Sequence, residues 1–300
     1  MNVARPAQNT LPSFYPKSDT LYEKESHDAE LSGYGFELTF RLACGIDDED
    51  PPVWPLNFLQ NIARYVFSTG NRLEEHHHID LNGPIALAEE TEIRFIALVK
   101  DPQLGEIGSP NGRLTFLQVV GLCTDEYDLI KDWDCRRVLE QVGRQWPLLI
   151  TDLKRKSILA DPGLAAEIRA QANHEGSSQG ETFVREAQWL ARDDSLLITI
   201  GATAAREVVR LLRSRLMHDK PFAFFGPQQG ILFRPDAEDA WKTEESLVVV
   251  SLSPQTLVEV LGSLKPARGD YRWNRLPNVV IRVVPSEIKD QHGKVIRVIG

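Results

Sequence analysis

Cysteine is scarce in this sequence: Cys44, Cys123 and Cys135 are an odd set without the close pairing that a metal ribbon or a disulfide framework needs. They read as buried or idle thiols of a reducing compartment. Positive charge is short as well. The 34 Lys and Arg stand against 43 Asp and Glu, a formal charge of −9, whereas nucleic-acid binding draws on clustered cations that release counterions from phosphate. A protein or a small molecule is therefore the expected partner, and no nucleic acid. No apolar run reaches the length of a membrane span, and no apolar stretch follows Arg5 in the opening MNVARPAQNTLPSFYPKSDT. Neither membrane insertion nor secretion is expected, and the chain is read as cytoplasmic. A fixed-period repeat and a P-loop are missing too.

What is there is an ordinary globular composition, 42% hydrophobic over 300 residues, enough for two cored domains. Residues 1–32, with Pro6, Pro12 and Pro16 and little periodicity, read as a loosely ordered arm. From Gly33 the run GYGFELTFRL sets Phe36, Leu38 and Phe40 against Glu37, Thr39 and Arg41, the alternation of a half-buried strand. Pro55 then opens a helix in which Leu56, Leu59, Ile62, Ala63, Val66 and Phe67 recur at helical spacing, and Gly70 stops it. Strands are expected at 91–99 and 113–122, one helix over 128–143, a strand in WPLLITDL and a polar helix at 162–172. Phe36, Leu38, Phe40, Phe67, Phe116 and Ile150 are the expected core of this half.

The stretch NHEGSSQGE, 173–181, has no core-forming residue over nine positions and reads as a linker. Beyond it, 182–300 alternates strands (TFVREAQWL, SLLITI, 222–225, 230–234, SLVVVSL, NVVIRVV) with helices near 203–217 and 254–264. Strands and helices at irregular intervals argue for an α+β fold of two lobes, 33–172 and 182–300, each a mixed sheet packed with helices.

Few residues suggest chemistry. Glu74-Glu75-His76-His77-His78-Ile79-Asp80 is the metal candidate, because on a strand His76, His78 and Asp80 would share a face. It lacks the spacing of a finger or protease motif, and a solvated His run is favoured. Gly176-Ser177-Ser178-Gln179-Gly180 fits G-x-S-x-G formally, but a polar helix end precedes it where a nucleophile elbow needs a buried strand. Asp125-Glu126 and Asp132-Trp133-Asp134 flank helix starts, where capping explains carboxylates without catalysis. Gly33-Tyr34-Gly35 precedes a strand, whereas phosphate cradles precede helices, so it reads as a strand start with unusual backbone angles.

SGYGFELTFRL, PPVWP, LQNIARYVF, DPQLGEIGSPNGRLTFLQVVGLCTDE and WPLLITDLKR, in this order, resemble the suppressor of fused (SUFU) family, and RSRLMHDKPFAFF and LPNVVIRVV are similar to its C-terminal domain. The resemblance implies a non-catalytic, cofactor-free protein-binding module that sequesters or neutralises a partner. Bacterial members resemble immunity or scaffold proteins associated with toxins, and animal members clamp an extended segment between the lobes by β-augmentation. Carried over on this basis, Tyr65 matches a ligand-contacting aromatic and Asp101 an acidic loop position, while His77 and Lys100 replace acidic groups. Phe183 and Val184, on a strand after the linker, complete the expected groove between the lobes. The rival readings are a metal-dependent hydrolase using Glu74–Asp80 and an auxiliary scaffold domain of a larger assembly.

Overall fold

The computed structural model describes residues 30–45, 50–289 and 294–300. The arm expected at 1–32 falls almost wholly outside them. Packing divides the chain into two compact units, residues 1–169 and 170–300, each an α+β arrangement of mixed sheets and helices.

The first unit is built on β5 (Gly112–Cys123), a twelve-residue strand rich in branched and aromatic side chains. One of its edges pairs in parallel with β1 (Leu31–Phe40), Phe36 opposite Thr115 and Phe40 opposite Val119. The other edge takes β4 (Glu106–Ser109) and then β3 (Ile93–Lys100), both antiparallel, and β2 (His78–Asp80) lies beyond β3. Helix α1 (Trp54–Thr69) covers one face. Pro55 sits in its first turn, and Gly70, left-handed at φ 71°, returns its N–H to Val66 O to end it. Ile62, Tyr65 and Val66 pack there with Ile96, Leu98, Leu117 and Val119. On the opposite face Phe95 stacks on Tyr127 of α2 (Thr124–Asp132), its ring centroid 4.1 Å away. A central strand covered on both faces loses its polar alternation, and β5 is buried without interruption from Leu117 to Cys123.

This arrangement corrects the expected core. Phe36, Leu38 and Phe40 are only partly buried at the sheet margin, and Phe116 and Ile150 are partly exposed. Phe67 is 58% exposed, because it lies off the α1 stripe that Ile62, Tyr65 and Val66 define. The deep core is instead aliphatic. The single helix expected at 128–143 is two, α2 and α3 (Cys135–Gln145). Buried Trp133 ends the first, and Asp134 caps the second by accepting the Arg137 N–H at 3.0 Å. WPLLITDL is no strand: Pro147–Leu149 is a 3₁₀ turn with Leu148 and Leu149 at positive φ, and only Thr151 bridges, to Leu42. Helix α4 (Pro162–Glu175) follows.

The second unit holds two mixed sheets rather than one. Strands β6 (Glu181–Phe183), β9 (Phe222–Phe225), β10 (Gly230–Pro235), β12 (Leu247–Leu252) and β11 (Ala240–Glu244) form one, in the order β11-β12-β10-β9-β6. The other runs β13-β14-β8-β7, with β7 (Ala187–Arg192), β8 (Ser195–Gly201), β13 (Gly269–Trp273) and β14 (Leu276–Val284). Ile198 and Ile200 from one sheet meet Phe222, Phe224 and Val250 from the other in a single apolar cluster. It is filled by α5 (Ala202–Leu211), a π turn at Leu212–Leu216 and α6 (Pro254–Ser263). A separate hairpin joins β15 (Ser286–Lys289) and β16 (Val295–Ile299). The expected strand TFVREAQWL is thus split between two sheets, β6 and β7.

The stretch read as a linker is fastened down. Gly176 closes α4, its N–H on Ala172 O at 2.9 Å, in a left-handed conformation at φ 66°. A Cβ there would stand 2.4 Å from Ser214 O, so only glycine lets the backbones approach this closely. Ser177, fully buried, donates its N–H to Ser214 O at 2.8 Å. Arg215 Nη1 donates to Ser177 O at 2.7 Å and Lys220 Nζ to Glu175 O at 2.7 Å. The absence of apolar side chains in 173–181 therefore does not leave the segment loose, because its main chain is held by cations about forty positions on. Limited proteolysis of the folded chain should spare 173–181. Early scission there, read by mass spectrometry of the first fragments, would restore the linker reading.

Candidate partner-binding surface

The residues singled out in the first unit gather around the end of β3. His76 N–H donates to Leu98 O at 2.7 Å and Leu98 N–H to His77 O at 2.8 Å, which lays the segment before β2 against that strand. His77 Nδ1 accepts the Glu74 N–H at 3.1 Å, and Glu75 Oε1 accepts the Lys100 N–H at 3.1 Å. Burial pushes His77 below the ordinary histidine pKa of 6.5, with Glu74 pulling the other way, so the ring stays neutral and keeps Nδ1 as an acceptor. Lys100 is exposed and His77 half-buried. The two form a polar rim on one edge of the sheet.

Asp101, next in sequence, turns inward. Its carboxylate takes Arg41 end-on through two bonds, Oδ2 from Nη1 at 2.8 Å and Oδ1 from Nη2 at 2.9 Å. It also accepts the Thr39 hydroxyl at 2.8 Å and the N–H groups of Gln103 and Leu104, both at 2.9 Å. Burial alone would raise its pKa; Arg41, the Leu104 and Gln103 amides and Thr39 outweigh that and hold the carboxyl well below the usual range. Arg41 Nη1 further donates to Gln118 Oε1, and Gln118 Nε2 to the carbonyls of Leu148 and Leu149. Asp101 is 2% exposed with its acceptors engaged, so its first role is to tie β1, β5 and the turn after α3 together.

Tyr65 is likewise interior, 8% exposed, its phenol accepting from Asn71 Nδ2 at 2.9 Å. Burial raises its pKa against the hydrogen bonds of Asn71 and Thr69. In the second unit Phe183 is half-buried and stacks on Phe225, centroids 5.2 Å apart. Val184 packs against the apolar cluster and gives its N–H to Phe225 O at 2.9 Å. A proline at 184 would therefore break an internal bond before it tested any partner.

The candidates for chemistry come apart. His76 has φ 69° and β2 begins only at His78, so His76, His78 and Asp80 do not share the face an unbroken strand would give them. Among the described residues no group of three or more His, Cys, Asp or Glu is placed to hold a metal ion. Ser178 of the G-x-S-x-G run is exposed in the loop between α4 and β6, with no strand leading into it. The Cys123 and Cys135 thiols are pushed up to about 12, by burial first and then by Glu126 and by Asp134 respectively, which makes them poor nucleophiles. Glu126 reaches back to the Cys123 N–H at 2.8 Å in a capping box. It also meets Arg155 through two bonds of 2.6 Å, both side chains fully buried. Sequence reasoning passed over the roles of Arg41, Gln118 and Arg155; a polar residue inside an otherwise apolar strand, or an arginine just beyond an element's end, was the available sign.

Residues 18–156 match the family model described as "Suppressor of fused protein (SUFU)". The chain is 36% identical over 190 residues to the suppressor of fused homolog of Homo sapiens, an alignment covering 58% of this chain and 38% of that protein. Over 155 residues it is 36% identical to the mouse homolog, covering 49% of this chain and 31% of that one. The aligned part thus spans well under half the length of these relatives. A crystal structure of Drosophila Suppressor of Fused superposes with a TM-score of 0.68 at 19% identity, covering 85% of this chain and 78% of that one, and carries the likeness of fold into the second unit.

Proposed function

We propose, because residues 18–156 match the suppressor of fused family model and the chain is 36% identical over 190 residues to the human homolog, that it is a non-catalytic protein-binding module that holds and neutralises a partner protein in the cytoplasm. The family match carries this reading. Its finer form, an immunity protein of bacterial type that occupies a toxin, names the partner as the product of the adjacent reading frame. No helix among the described residues is long and apolar enough to cross a membrane.

Within this proposal the surface residues carry contact and the interior ones carry shape. Lys100 and His77 meet the partner at the rim of the first unit, and Phe183 at the start of the second. Tyr65 and Asp101 act by holding the strands and loops beneath. Basic and neutral groups at the rim select against segments suited to negative pockets. The test is capture of the purified neighbour-encoded protein, with Lys100→Glu and His77→Ala as surface variants. Kd should rise about tenfold or more for Lys100→Glu if it sits in the centre of the contact. Capture of undiminished affinity by both folded variants would place the surface elsewhere.

A further inference from the structure

Two inward-facing arginines described in the first unit are each matched to a carboxylate, Arg41 to Asp101 and Arg155 to Glu126. Arg72 breaks this pattern. Its Nε is sealed from solvent with no hydrogen-bond partner, and among the described residues its guanidinium has neither an ion pair nor a hydrogen bond. Buried donors are satisfied as a rule, and an exception calls for an explanation.

The guanidinium is nonetheless held in place. Arg72 lies in the loop after α1, between Asn71, which donates to the Tyr65 phenol at 2.9 Å, and Leu73, anchored in the core at 1% exposure. Opposite it, β1 makes room. The β1–β5 register shifts between Leu31 and Phe36, where Gly33 and Gly35 take φ of 56° and 79°. Arg72 Nη2 lies 2.7 Å from where a Gly35 Cβ would stand, so any side chain at 35 would displace the guanidinium. The glycines that open β1 thus leave space for a cation that has no counter-ion among the described residues.

We infer that Arg72, seated against the Gly33–Gly35 bulge, binds an oxyanion, a carboxylate or phosphate group carried by the partner segment. The planar fork takes such groups with two parallel bonds and little loss of freedom when it is already positioned. Tyr65 then serves recognition indirectly, through Asn71, by fixing the loop. This inference rests on the protein-binding reading, but its test needs no partner.

The full chain, labelled with ¹⁵N arginine, is titrated with inorganic phosphate and separately with acetate at constant ionic strength, with chloride as the control. The Arg72 Nε–H resonance, assigned by its loss in Arg72→Gln, should shift and saturate with at least one of the two, while those of Arg41 and Arg155 stay put. Saturation with phosphate alone assigns a phosphorylated segment, and saturation with acetate an Asp, Glu or terminal carboxylate. Arg72→Lys should bind about tenfold more weakly, since it offers a point charge in place of a fork. A resonance that follows added salt as it follows chloride, without saturating, overturns the site and leaves the capture of a partner untouched.

Discussion

Glu126→Gln should destabilise the first unit by about 3–5 kcal/mol, the cost of stripping one member from a buried ion pair. Glu126 receives Arg155 through both carboxylate oxygens and also accepts the Cys123 and Ile158 N–H groups. Arg155 gives its remaining bonds to the Gly121 and Lys156 carbonyls and lies over the Trp146 ring at 4.8 Å. Burial alone would lower the Arg155 pKa, and the Glu126 hydrogen bonds reverse this and raise it. Gln keeps the shape but leaves a buried cation without its counter-charge. Hydrogen exchange at the β5 amides should report the loss, while β8 and β14 in the second unit keep their protection. A double replacement, Glu126→Leu with Arg155→Met, should recover much of it, because an apolar pair of similar volume carries no desolvation cost. Equal β5 protection in Glu126→Gln and the parent would remove the pair from the list of what holds the sheet.

Asp101→Asn should cost about 2–4 kcal/mol, less than the full price of a broken buried pair because Arg41 keeps part of its exposure to water. It should also change the response to acid. The Asp101 pKa is depressed in the folded chain, so the unfolded chain binds that proton more readily. The stabilisation is complete above the ordinary aspartate value of 3.8 and is lost as pH falls below it. Urea midpoints of the first unit between pH 5 and 3 should therefore fall more steeply for the parent than for Asp101→Asn. Parallel pH profiles would mean that the carboxylate titrates as if it were in water.

Legibility in the sequence followed the range of the interactions. Local patterns were enough for β1, whose alternation survives at a sheet margin, and for α1, whose proline and glycine ends are set within the helix itself. They were enough, too, to read Asp125-Glu126 as a capping pair. Asp134 between two apolar stripes was a legible cap that the single-helix reading of 128–143 overran. Strands β11 and β13 were missed because AWKTE and GDYRW carry charges on their open faces and few apolar residues to mark them. The candidate site was read least well. Resemblance supplied the positions of Tyr65 and Asp101 but not their burial, which comes from packing with Ile96 and Leu98 in one case and from pairing with Arg41, sixty positions earlier in the chain, in the other. Only the folded chain brings those partners together.

The parallel pairing of β1 with β5 has a consequence during synthesis. Leu31 lies opposite Arg113 and Phe40 opposite Val119, so β1 leaves the ribosome long before its ladder exists. At roughly 5–20 residues per second, several seconds pass with Phe36, Leu38 and Phe40 on offer and no strand to receive them. Closing so long a loop is also the slow kind of step in folding. The nascent chain in that interval is a natural client for a holding chaperone.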